Sequence, residues 1–399
     1  MFQIIRRWLG FSGPPRPPAS GPTVNPSPMP SGADLKPVLA QPAKASDLAR
    51  PLAEQEAVVS AAGVQFKNAQ APAASPSVPS ARASASTGEG PGARSEPEPD
   101  LDRPSPGVRY RKPIETWACL LRDIDVAKIA KIDVDLMVVD YSADGSDGRA
   151  FDTASVSRMK GRPNSGGQSA GHKSDRRKQV IAFMSIGEAE AYRYYWNKDW
   201  QRKDHKPNWL DHENPDWDEN YKVHYWDPGW QRIIFGSPQS YLDRIIAAGF
   251  DGAYLDIIDA YEYYERQHPS AREDMIAFVT VLAIYARQKR PDFMVIPQNG
   301  EALLKSALYR AAISAIAKED LYYGVTADEA ANTEAETQAG LELLELARRD
   351  GIPVMVVEYL DDSAKIKKVH GALTQLGYCA YFAPQEHAGL REAASPRQA

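Results

Sequence analysis

The chain has little cysteine, few histidines, no long apolar run and, between Phe11 and Tyr110, a single aromatic residue, Phe66. Each shortage narrows the field. Cys119 and Cys379 are the only cysteines, and each reads as a small buried hydrophobe. Two cysteines say little about redox compartment, and nothing in the sequence supports a bond between them. The seven histidines are scattered, with no H-x-x-x-H or Cys-pair spacing, which argues against a metal site. No Gly-rich loop follows the first apolar run, which argues against a nucleotide, so no cofactor is expected. Net charge is −6 with both signs interspersed and no basic stripe on a helix, so no nucleic-acid partner is expected. The short basic run Lys173–Lys178 reads as a solvated loop. No stretch is long enough to span a bilayer.

The aromatic shortage divides the chain. Residues 1–110 are rich in Pro, Ala, Ser and Gly and hold more than half of the 31 prolines. Such a stretch cannot bury enough apolar surface to offset the entropy of ordering it. Residues 12–108 are therefore expected to form a disordered tether, and residues 388–399 a disordered tail. The first eleven residues carry Arg6 and Arg7 but lack the apolar core, about 7–15 residues long, of a secretory signal. They read either as a short amphipathic helix on a membrane surface or as a signal truncated by a wrong start.

From residue 111 to 387 the composition becomes mixed apolar and aromatic, enough for a (β/α)8 TIM barrel, which takes about 250 residues. Apolar runs consistent with buried strands recur at Trp117–Arg122, Asp135–Tyr141, Val180–Glu188, Asp251–Asp256, Phe293–Asn299, Ile313–Glu319, Pro353–Tyr359 and Tyr378–Ala383. Helical patterns lie between the later ones, at Pro238–Ala248, Ala271–Lys289, Thr333–Arg349 and Ser363–Leu376. Alternation of this kind predicts a parallel sheet, and eight repeats predict a closed barrel.

Polar residues gather where the strands end. Asp140, Glu188, Asp256, Gln298, Asn299, Glu319 and Glu358 fall at or just past a predicted C-terminal strand end, the face that carries the active site in barrels. Five carboxylates converging there would repel one another unless a ligand, cation or proton compensates. Two insertions interrupt the pattern. Residues 143–179 contain a Gly/Ser-rich stretch at 161–171 and read as a mobile surface loop. Residues 192–230 hold six of the eight tryptophans and five tyrosines, interleaved with charged side chains. Such rings suit the C–H faces of sugars; equally they could form a local core, with one to three rings facing the cleft.

Three stretches carry a family resemblance: SIGEAEAYRYYW (Ser185–Trp196), NPDWDENYKVHYWDPGW (Asn214–Trp230) and GFDGAYLDIIDAYEYY (Gly249–Tyr264). They resemble glycoside hydrolase family 114, whose members are similar to endo-α-1,4-polygalactosaminidases on TIM barrels. The resemblance covers nearly all of residues 112–385. It implies a catalytic Asp after the fourth strand and a catalytic Glu after the sixth, matched by Asp256 and Glu319, which lie 319 − 256 = 63 residues apart. Glu301, in PQNGE, is a rival to Glu319, or else a carboxylate at a helix N-terminus.

On this reading Asp256 is the nucleophile and Glu319 the acid/base of a retaining enzyme, with an expected carboxyl separation of about 5–5.5 Å. Asp140 and Glu188 would hold hydroxyls, or the amine of a deacetylated galactosamine. Tyr192 and Arg193 join the binding set, though Arg193 could instead neutralise Glu188. Asp259 could support the site or cap the next helix. Gln298 and Asn299 are hydroxyl ligands, Tyr254 packs in the barrel or lines its top, and Glu358 either meets substrate or braces neighbouring tyrosines. The implied partner is a galactosamine-containing polysaccharide, handled by a monomer that is secreted or periplasmic. The alternative class is a catalytically silent carbohydrate-binding barrel in exopolysaccharide handling.

Overall fold

The computed structural model describes residues 114–161 and 177–384. The expected tether, the start of the chain, most of the Gly/Ser-rich stretch and the C-terminal tail lie outside the described residues.

The predicted apolar runs become parallel strands: β1 (Trp117–Leu120), β2 (Leu136–Asp140) and β3 (Gln179–Ser185). The aromatic insertion then contributes three short antiparallel strands, β4 (Glu188–Glu190), β5 (Leu210–Glu213) and β6 (Asn220–Val223). The parallel series resumes with β7 (Gly252–Asp256), β8 (Met294–Pro297), β9 (Ile316–Glu319), β10 (Val354–Tyr359) and β11 (Cys379–Ala383).

Ladders run in the orders β1-β2-β3-β7-β8 and β9-β10-β11, and a parallel bridge between Gln298 and Ala317 links the two groups. At the opposite seam, Trp117 Nε1 donates to the Cys379 carbonyl at 3.1 Å and the Tyr381 hydroxyl to the Cys119 carbonyl at 3.4 Å. The last strand thus lies beside the first, through side chains rather than a main-chain ladder, in a barrel-like α/β arrangement. Both cysteines are buried and unbonded.

Helices follow the strands: α1 (Val126–Lys131), α2 (Thr153–Met159), α3 (Pro228–Ile234), α4 (Tyr241–Ala247), α5 (Ala260–Tyr264), α6 (Ala271–Lys289), α7 (Ala307–Ala312), α8 (Glu334–Arg349) and α9 (Ser363–Leu376). Their ends have local causes. Thr333 and Glu336 form a reciprocal capping box on α8, and Asp362 caps α9, which Gly377 ends at φ 72°. On α6, Met275, Phe278, Val279, Leu282 and Ala286 are buried, the spacing of a core-facing stripe.

Two expectations need correction. The insertion after β2 is not all loop: Asp152 accepts from Ser155 N and starts α2. Lys178 is not solvated. Its Nζ donates to the Ile129 carbonyl at 2.5 Å and to the Ile132 carbonyl, satisfying the C-terminal end of α1.

Most of the aromatic insertion is a local core. Trp209 lies 4.9 Å from Trp200 and 5.1 Å from Trp230 between ring centroids, and Trp196 lies 4.6 Å from Tyr221. Trp230 is fully buried and its Nε1 donates to the Ile186 carbonyl at 2.8 Å. Burying each large ring is worth roughly 1.5–3 kcal/mol, enough to hold a long excursion against the barrel.

Candidate active site

A cavity of about 420 Å³ opens at the C-terminal ends of the strands. The barrel contributes Cys119, Asp140, Phe183, Ser185, Tyr254, Asp256, Ile257 and Gln298; the insertion contributes Glu188, Glu190, Tyr192, Arg193, Trp217, Glu219 and Asn220. Of the insertion's rings, Tyr192 and Trp217 reach the cavity wall. Residues of the β1–α1 and β2–α2 loops, among them Arg122, Asp123 and Asp144, complete the lining.

Asp256 ends β7, opposite Ser185 on β3. It is 4 % exposed, and its carboxyl is pushed well above the usual range, by burial first and by Glu319 second. Glu319 ends β9 and is 3 % exposed. Burial raises its carboxyl too, but side-chain donors pull it back: Asn299 Nδ2 to Oε1 at 2.7 Å, with Gln298, and the Tyr359 hydroxyl to Oε2 at 3.3 Å. Lys318 opposes the shift as a nearby cation. Glu319 thus adds to the upward push on Asp256.

The backbone turns sharply just beyond these groups. Ile257 (φ 57°), Asn299 (φ 59°) and Asp320 (φ 51°) all take the left-handed region immediately past β7, past Gln298 and past β9. For a β-branched residue such as Ile257 this is a true outlier, held only because its surroundings over-determine it. The turn after β3 is as constrained. A Cβ on Gly187 would lie 2.1 Å from the Ile257 carbonyl oxygen, so only glycine lets the two strand-end turns pack together.

Several expected site residues take other roles. Glu188 does not end β3, which stops at Ser185; it opens β4. It still lines the cavity, where Asn214 donates to it at 2.8 Å and Lys222 pairs with it at 3.4 Å. Burial raises its carboxyl, and Lys222 offsets that. Arg193 therefore does not neutralise Glu188. Its Nη1 and Nη2 each lie 2.8 Å from an Asp140 carboxylate oxygen, and its Nε lies 2.7 Å from Glu190 Oε2. The Tyr192 hydroxyl also donates to Glu190. Asp140 is thus occupied by an arginine and by Ser142 N at 2.9 Å.

Asp259 occupies the N-cap position of α5 without a side-chain capping bond. It is not part of the cavity lining, and burial, with Glu262 and Glu319, pushes its carboxyl up to about 7. Glu358 is fully buried and accepts from Tyr322 N at 2.8 Å and Tyr323 N at 3.2 Å. It braces the backbone beyond β9 and does not line the cavity. Asn299 likewise spends its amide on Glu319 and Lys318. Glu301, the rival to Glu319, pairs with Lys318 at 3.2 Å. Tyr254 is 2 % exposed and lines the cavity floor.

Glu190, Ser185 and Asn220 were not anticipated from sequence. Glu190 lay within SIGEAEAYRYYW, where a second carboxylate two residues from Glu188 on a strand shares its face.

Asp256 lines the sugar-sized cavity, and Glu319, outside the lining, is the second buried carboxyl group, at the end of β9; glycoside hydrolysis calls for two such groups. The model of the Glycoside-hydrolase family GH114 matches residues 102–395. The chain belongs to this family. An uncharacterized protein of Methanocaldococcus jannaschii is 36 % identical over 284 residues, 68 % of this chain and 75 % of that one. An uncharacterized protein of Thermotoga maritima is 35 % identical over 258 residues, 63 % of this chain and 73 % of that one. Among solved structures, the glycoside hydrolase domain of PelA from Pseudomonas aeruginosa superposes with a TM-score of 0.53 at 14 % identity, covering 71 % of this chain and 99 % of that domain. That likeness shows a shared fold. As a GH114 member the chain is a glycoside hydrolase.

Proposed function

We propose that this GH114 hydrolase cleaves an α-1,4-linked, galactosamine-containing polysaccharide, within the chain and with retention of configuration. The observation that carries the reading is the pair of buried carboxyls, Asp256 in the cavity wall and Glu319 acting on it from the end of β9. Asp256 attacks the anomeric carbon while Glu319 gives its proton to the departing glycosidic oxygen, leaving a glycosyl ester on Asp256. Glu319 then takes a proton from water, whose oxygen attacks the same carbon and frees Asp256.

Burial and Glu319 push the Asp256 carboxyl up, whereas side-chain donors pull Glu319 back. The nucleophile must be ionised to attack, so this assignment calls for a bound group that favours the Asp256 carboxylate. A cationic amino sugar does so, since a nearby positive charge favours the ionised carboxyl. The lining favours such a sugar: Asp123, Asp144 and Glu219 join Asp140, Glu188, Glu190 and Asp256, against the guanidiniums of Arg122 and Arg193.

Incubation with an α-1,4-linked galactosamine polymer should release reducing ends with an early drop in polymer length, and NMR should show the α-anomer first. Binding without release points to a silent carbohydrate-binding barrel; a first-formed β-anomer means inversion. Trapping with a 2-fluoro glycosyl fluoride should label Asp256. A label on Glu319 would reverse the two roles.

A further inference from the structure

We infer that Asn299 is a positioning residue for Glu319, not a ligand for sugar hydroxyls. The inference rests on the catalytic pair proposed above and adds the group that orients one of its members. Both ends of the Asn299 amide face the end of β9. Nδ2 donates to Glu319 Oε1 at 2.7 Å. Oδ1 accepts from the Glu319 backbone N–H at 3.3 Å and from Lys318 Nζ at 3.5 Å. One amide therefore grips the main chain and the carboxylate of the same residue, which fixes the side chain's rotation as well as its place.

The backbone explains how a residue between β8 and β9 achieves this. Asn299 N donates to the Ala317 carbonyl at 2.9 Å, beside the Gln298–Ala317 bridge, so the turn is anchored to β9 before the side chain reaches out. Its φ of 59° swings that side chain toward β9, and asparagine tolerates this conformation better than most residues. Gly300 follows at φ 61°, where a Cβ would lie 2.6 Å from Ile258 Cγ2, so the turn has little freedom to relax.

Other groups also act on Glu319. Asp256 and Tyr254 face it from β7, Asp259 from the start of α5, Lys318 from β9, Tyr359 from β10 and Cys119 from β1. Among them, only Lys318 is cationic, and it is shared with Glu301. The close Asn299 donor is thus a principal stabiliser of the Glu319 carboxylate.

The test compares Asn299→Gly, which accepts the left-handed backbone and deletes the amide, with Asn299→Asp, which keeps the shape and replaces the donor with an acceptor. On the galactosamine polymer both variants should lose at least tenfold in kcat with KM within about twofold. The limb of the pH–rate profile governed by Glu319 should move up by about one pH unit, further for Asn299→Asp. An increase in KM alone, with an unmoved pH profile, would make Asn299 a substrate ligand and overturn the inference. A second readout needs no turnover. Carbon-13 NMR titration of the Glu319 carboxyl, assigned with Glu319→Gln, should show the same upward move in Asn299→Gly. An unchanged titration overturns the inference even if the polymer proves not to be a substrate. A moved titration in a protein that cleaves nothing rejects the proposed function while leaving the Asn299–Glu319 relationship intact.

Discussion

Arg193 and Asp140 meet end-on, guanidinium to carboxylate, with both contacts at 2.8 Å and the arginine 3 % exposed. This pair joins the aromatic insertion to the end of β2, and Glu190 shares the same guanidinium. Replacing Arg193 with Met would leave two buried carboxylates without their cation, at a cost of about 3–5 kcal/mol. Urea unfolding should show this as a lower midpoint. Arg193→Lys should recover only part of the loss, because lysine cannot make the forked contact. An Arg193→Met midpoint equal to that of the parent would mean the pair carries no stability.

Asp256→Asn and Glu319→Gln should each reduce kcat by at least about 10³-fold while leaving folding intact, since the groups are proposed to act in the bond-breaking steps. At pH 7 Asp256→Asn should be as stable as the parent or more so, because burial disfavours the charged form it removes. Reducing-end release and thermal unfolding, measured on the same preparations, check both halves. Parent-level turnover in either variant removes that residue from the mechanism.

Glu358 gives a pH-dependent stability of definite sign. Burial raises its carboxyl to about 8 in the folded protein, against 4.5 for an ordinary glutamate. Between those values the folded state holds a proton that the unfolded state has released. Its contribution is therefore complete below pH 4.5 and is lost as pH rises through about 8. Glu358→Gln lacks this titration. The stability of the parent relative to the variant should fall by on the order of 4 kcal/mol between pH 5 and pH 9. A difference that stays constant across this range would mean Glu358 ionises normally.

Gly187→Ala places a methyl 2.1 Å from the Ile257 carbonyl oxygen, 2.8 Å from Ile257 Cγ2 and 2.9 Å from Ala260 Cβ. The obstruction is backbone, so it cannot be relieved by a rotamer change. Stability should fall by about 1–3 kcal/mol, and kcat should fall more than tenfold because Ile257 adjoins Asp256. Parallel kinetics and denaturation would detect a variant that loses stability alone, which would separate this turn from the chemistry.

The strands were legible because a doubly buried strand writes itself as an apolar run: Leu136–Asp140 and Val354–Tyr359 have every residue buried. The long helices were legible from their stripe and caps, with α6 and α9 spanning the predicted residues. The third strand was read too far. Nothing local marks Ser185 as its end, because the turn at Gly187 is imposed by Ile257, seventy residues away. The strands of the insertion are three or four residues long, too short for alternation to register. Position along a strand also could not separate carboxylates that line the cavity from one that braces a loop. Glu358 and Asp256 look alike in sequence, and only the approach of the Tyr322 and Tyr323 amides distinguishes them.

The cavity has two walls of separate origin. The barrel carries Asp256 at the end of β7, whereas Trp217, Tyr192, Glu188 and Glu190 arrive on the insertion. On the proposed assignment, the attacking carboxyl and much of the surrounding lining thus lie on different stretches of chain. Under the proposed function, an exchanged insertion that keeps a glycine at 187 and an arginine facing Asp140 should give the proposed pair a new choice of sugar.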